Sequence, residues 1–154
     1  MQKTMNRMEY IHYGSKKFTP KLFHPITNYS VKPDGGLWAS PVNAKYGWKE
    51  FCTREGFRVE KLRTSFKFTL AENANILRLT SAAQLNELPK APNNIDKEYA
   101  AVFLDFEKLM ADGVDAIQVN ITGDGLYNKL NGWDCDSILI LNKNIIMTDK
   151  KPSD

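Results

Sequence analysis

Residues 136–147, Asp-Ser-Ile-Leu-Ile-Leu-Asn-Lys-Asn-Ile-Ile-Met, hold the most continuous apolar strand of the chain, Ile138-Leu139-Ile140-Leu141. Asn142-Lys143-Asn144 then reads as a turn, and Ile145-Ile146-Met147 resumes an apolar run, so the segment is strand, turn, strand. Working back from it, Val114 to Ile121 alternates apolar side chains at Ile117, Val119 and Ile121, the period of a half-buried strand, and Thr122-Gly123-Asp124-Gly125 turns the chain. Before that, Tyr99 to Met110 gathers Val102, Phe103, Phe106, Leu109 and Met110 on one helical face, with Gly113 beyond its end. On that helix Asp105 and Glu107 read as its solvated face.

Further upstream, Ser81 and Gln84 have capping-box spacing for a short helix carrying Leu85 and Leu88 and ending at Pro89; residues 90–97 read as a linker loop. Phe66, Phe68 and Leu70 alternate with polar neighbours, and Ile76 to Leu79 reads as another strand. Ser40-Pro41 reads as an N-cap with proline at the first helical position, opening a helix with Ala44, Trp48, Phe51 and Cys52 inward and Gly56 as its stop. Tyr46, Trp48, Phe51 and Phe57 fit the core side of that helix and its exit better than a base-stacking platform. Leu37-Trp38-Ala39 reads as a short strand, residues 19–34 as loop, and Tyr10-Ile11-His12-Tyr13 as β-compatible chain broken at Gly14-Ser15. Turns and short loops join most strands, which points to an α+β fold of mixed, largely antiparallel strands with helices at the edges.

At 154 residues the chain fits one domain, expected over 10–148, with a flexible N-terminus at 1–9 and a disordered tail at 149–154. Hydrophobic residues make up 42% of it, ordinary for a globular core, but no apolar run approaches the ~20 residues of a membrane span. The N-terminus carries no apolar signal segment, so a soluble, cytoplasmic protein is expected. Two cysteines, Cys52 and Cys135, and two histidines, His12 and His24, are too few for a disulfide framework or a metal cage. A formal charge of +3 permits nucleic-acid binding without arguing for it. The zinc-protease helix, the serine-hydrolase elbow and the standard glycine-rich phosphate loops are all missing from the sequence.

Five segments in order carry more information: Ile11-His12-Tyr13-Gly14-Ser15, Gly35-Gly36-Leu37-Trp38-Ala39-Ser40-Pro41, Asn75 to Ser81, Gly113 to Ile117, and Asp136 to Asn142. Their order resembles the ADP-ribosyltransferase superfamily, particularly small phage and bacterial members related to its His-Tyr-Glu group, over residues 10–147. The resemblance implies a split β-sandwich with NAD as substrate in the cleft between its sheets. It implies that His12, Tyr13, Gly14 and Ser15 border the nicotinamide, with Gly14 backbone groups meeting its amide, and that Trp38 stands where the family's tyrosine stacks on the ring. The family's histidine directly precedes its Gly-Ser pair; here Tyr13 intervenes, and strand alternation turns His12 away from the cleft unless a bulge re-aims it. At the family's late-strand glutamate the register places Ser137, with Asp136 beside it and Asp134 two residues earlier. Of these, Asp136 is the expected carboxylate, because a negative charge near the ribose stabilises the oxocarbenium-like cation formed as nicotinamide leaves.

The activity implied is ADP-ribosyl transfer from NAD to an unknown acceptor, macromolecular or otherwise, or NAD hydrolysis. The alternative is a non-catalytic module that binds a nucleotide or a protein on the same fold. No metal and no membrane partner is expected, and nucleic acid stays open.

Overall fold

The computed structural model describes residues 8–91, 102–130 and 133–148. The expected flexible N-terminus up to residue 7, most of the 90–97 linker, the start of the 99–110 helix and the 149–154 tail lie outside the described residues.

The chain forms a curled mixed sheet with few helices. Eight strands are present among the described residues: β1 (Tyr10–Tyr13), β2 (His24–Thr27), β3 (Asp34–Pro41), β4 (Ser65–Leu70), β5 (Ile76–Ser81), β6 (Ala116–Asp124), β7 (Ser137–Ile140) and β8 (Ile146–Thr148). They run in the order β5-β6-β7-β3-β1-β4-β8, with β2 paired to β3. Among the described residues only β5 and β6 pair in parallel, with a 3₁₀ segment at Ala82–Glu87 and helix α2 (Phe106–Ala111) between them in the chain; the other described strand pairs are antiparallel. The expected strands at 66–70, 76–79, 114–121 and 137–147 are present, several longer than read.

Side-chain alternation splits the interior into two cores, one on each face. In the register Leu37↔Ile140, Trp38↔Leu139, Ala39↔Ile138, the odd residues of β3 and the even ones of β7 join Tyr10, Phe66 and Phe68. Trp38 and Leu139 pack on the opposite side with Leu79, Leu104, Phe106, Leu109 and Trp133. Each fully buried Leu or Phe there contributes about 1.5–3 kcal/mol relative to exposure.

Three local expectations are corrected. Ser40-Pro41 does not open a helix. It ends β3, because tertiary pairing with β1 and β7 outweighs the local start signal, and α1 (Trp48–Glu55) begins after Gly47. Ser40 still caps it: its Oγ accepts from Trp48 N at 2.9 Å and donates to the Asp136 carbonyl at 2.8 Å. Glu50 Oε1 accepts from Gly47 N, and Gly56 ends the helix at φ 64 as read. The 99–110 helix is shorter: Leu104 bridges to Lys90, and Asp105 is the N-cap of α2, its carboxylate accepting from Lys108 N and from the Asn28 amide. Glu107 likewise accepts from Asn28 N, so both carboxylates anchor the β2–β3 loop rather than a free face. Finally, β2 forms within the segment read as loop, with Pro25 in a strand.

Candidate functional site

A cleft of about 530 Å³ opens where β1 parts from β3. The two strands pair only at Tyr10↔Pro41 and Ile11↔Ser40, while β1 stays bonded to β4 through Tyr13↔Ser65. At the fork His12 Nδ1 lies 2.7 Å from the Trp38 carbonyl. That carbonyl can only accept, so Nδ1 carries the proton and Nε2 keeps a lone pair. Burial holds the His12 pKa below the usual histidine value, against the opposing effect of that hydrogen bond, so the ring is neutral near pH 7.

All five expected binding residues border this cleft: His12, Tyr13, Gly14 and Ser15 from the end of β1, and Trp38 from β3. The expectation that alternation turns His12 away does not hold, because at a strand end beside a fork both His12 and Tyr13 reach the opening. Gly14 has φ +112, a conformation that side-chain-bearing residues rarely adopt, and its N–H is taken by Thr64 O at 2.9 Å.

The expected carboxylate and its neighbour stand elsewhere. Ser137 is 1% exposed and its hydroxyl donates to the Cys135 carbonyl. It lies inside the sheet and does not border the cleft. The Asp136 carboxylate accepts from the Ile121 backbone N–H at 2.9 Å, and it too is absent from the cleft wall. Burial raises its pKa above the usual aspartate value, partly offset by that hydrogen bond. Asp134 is closer to the opening, 3.8 Å from the cleft-lining Lys32.

Several wall residues were not singled out by sequence. Trp38 meets Trp133 edge-on at 4.8 Å and Trp48 at 6.3 Å, and the Lys32 ammonium sits 5.4 Å from the Trp38 ring centre and 5.6 Å from that of Trp48. The result is an indole cage around a cation. Trp48, read as a core residue, borders the cleft, and its buried Nε1–H has no partner among the described residues. Phe57, also read as packing inward, is 47% exposed at the mouth, beside Arg58 and Lys61. Arg58 is the one non-glycine with positive φ among the described residues, at 51°. Lys32, Arg58 and Lys61 make the wall cationic, and no Asp or Glu is among the described residues that line it.

Cys52 lines the cleft as a free thiol; burial, foremost, raises its pKa, so it stays protonated and is no ready nucleophile. Among the described residues, no three His, Cys, Asp or Glu side chains gather into a metal site, and no helix is long and apolar enough to cross a membrane. Comparison of the chain with protein-family models, curated proteins and solved structures finds no match in any of the three.

Proposed function

We propose that this cleft binds NAD in its oxidised form, on a split sheet like that of the ADP-ribosyltransferases, and that the protein transfers ADP-ribose from it to an acceptor or hydrolyses it. The observation that carries this reading is the loaded indole cage: Trp38 and Trp48 already hold the cation of Lys32. The nicotinamide ring of oxidised NAD is itself cationic, and it takes the place of the ammonium as Lys32 swings towards Asp134. The unpartnered Trp48 Nε1–H offers a hydrogen bond to a ligand oxygen. Arg58 and Lys61 supply charge for the pyrophosphate. In the reaction the bond from ribose C1′ to the nicotinamide nitrogen breaks, the electron pair leaves on nicotinamide, and an acceptor group or water bonds to C1′ as it loses a proton. Asp134, beside Lys32, is better placed than Asp136 to steady the ribosyl cation.

A second reading, NAD binding without cleavage, is favoured by the lack of any carboxylate among the described residues of the wall. One pair of measurements separates the two: calorimetry with NAD, and release of nicotinamide over hours. Saturable heat with turnover lost in Asp134→Asn is the expected outcome. Heat without turnover leaves the binding module, and no heat at all overturns both.

A further inference from the structure

The segment that builds the cleft is charged differently from the rest of the chain. Every described residue lining the cleft falls within positions 12–62. Residues 12–62 hold nine Lys and Arg against four Asp and Glu, a net +5, whereas the remainder, with twelve against fourteen, is −2. The formal +3 of the whole chain therefore hides a one-sided distribution. Arg58 and Lys61 at the mouth, and Lys16, Lys17 and Lys21 in the loop after β1, are exposed and form no ion pair among the described residues.

Aromatic rings are set among these cations. Phe57 is 47% exposed with the Arg58 guanidinium 5.4 Å from its ring centre, and Tyr46 carries Arg54 at 5.8 Å. Arg58 holds its place in a left-handed backbone conformation that is unfavourable for a non-glycine residue. Cations with no ion pair among the described residues, beside an exposed ring, match a chain that alternates phosphates with flat bases. An acidic protein segment would use the charges and leave Phe57 without a role.

We infer that the mouth of the cleft, around Phe57, Arg58 and Lys61, is a docking surface for single-stranded nucleic acid. Phosphates bind Arg58, Lys61 and the lysines of the loop after β1, and a base stacks on Phe57. The inference uses the same cleft as the NAD reading but does not need NAD to bind: oligonucleotide binding with no NAD heat would sink that reading and leave this one standing.

The test is fluorescence anisotropy with a labelled oligo(dT) of about 12 nucleotides, within the usual span of a single-strand site, titrated from low to physiological salt. Saturable binding that weakens steeply with salt is expected. Each lost phosphate contact flattens the log–log salt slope by about 0.7, so Arg58→Ala with Lys61→Ala should remove about 1.4. Arg58→Gly, which also relieves the left-handed backbone, should remove about 0.7 of slope with no loss of thermal stability. Phe57→Ala should weaken binding about 5- to 150-fold with the slope unchanged. Lys129→Ala and Lys143→Ala, outside the cleft segment, should change neither. No saturable binding at low salt overturns the proposal. So does an unaltered slope in the folded Arg58 and Lys61 variants, or polyglutamate competing as well as the oligonucleotide with Phe57 indifferent.

Discussion

Replacing Asp136 by Asn and by Ala separates a structural carboxylate from a catalytic one. Its Oδ1 accepts the backbone N–H of Ile121, a residue only 3% exposed, at 2.9 Å. Asp136→Ala strands that donor, a loss of about 1–3 kcal/mol. For a chain of this size that is roughly 2–12 °C in midpoint, at about 2–4 °C per kcal/mol. Asp136→Asn keeps an amide oxygen for the same N–H and removes a charge that burial disfavours, so its stability should lie within about 1 kcal/mol of the parent. The pH dependence has a definite sign. The folded pKa is raised, so the folded state binds the proton more tightly than the unfolded state. The stability this group contributes is full below its unfolded pKa near 3.8 and is lost as pH rises through the folded value. Asp136→Asn should lack that slope. Urea unfolding at several pH values reads stability, and nicotinamide release reads activity alongside it. The reasoning fails if Asp136→Asn is as unstable as Asp136→Ala, or if a well-folded Asp136→Asn loses turnover about 10²–10³-fold, as a charge-stabilising carboxylate would.

Trp38→Ala should weaken NAD binding by about 1–3 kcal/mol in calorimetry, the worth of a stacked ring, with the fold retained. His12, whose folded pKa is depressed by burial, takes its proton in the unfolded state first. Stability should therefore fall as pH drops from about 6.5 towards the folded value, and His12→Asn should lose that part of the acid sensitivity in urea unfolding. At Gly36 (φ +76) a Cβ would lie 2.7 Å from Leu139 Cδ1 and 2.9 Å from the Ile140 carbonyl. Gly36→Ala should thus cost at least about 2 kcal/mol by strain and overpacking, read by thermal unfolding.

The sequence made local patterns legible and left tertiary ones hidden. The alternation at Phe66, Phe68 and Leu70, the apolar run of β7, the Gly56 stop and the Ser81–Gln84 box all appear where read, the last with Gln84 Oε1 accepting from Ser81 N at 3.0 Å. Ser40-Pro41 misled because a start signal is local while the pairing of β3 with β7 spans most of the chain. The parallel pairing of β5 with β6 left no trace in either strand's own pattern. Within the candidate site, His12 to Ser15 and Trp38 were legible as motifs, and they border one cleft. Lys32, Trp48 and Arg58 were not, since a lysine before proline and a tryptophan at helical spacing look like turn and core. That the Asp136 carboxylate accepts from the backbone of β6 was not legible either, because nothing local foretells a partner fifteen residues away.

The place of β3 in the sheet also has a consequence for biosynthesis. One wall of the cleft is a strand whose register, Leu37↔Ile140 and Trp38↔Leu139, is fixed by residues made roughly a hundred positions later. At about 5–20 residues per second, the ribosome leaves Trp38 without its strand partner for roughly 5–20 s. Over that interval the apolar face of β3 is open to chaperones or to another nascent chain, and the cleft has no back wall. Folding here is therefore a late event that waits on β7, and a chain stalled before residue 137 should carry every residue of the cleft yet bind nothing.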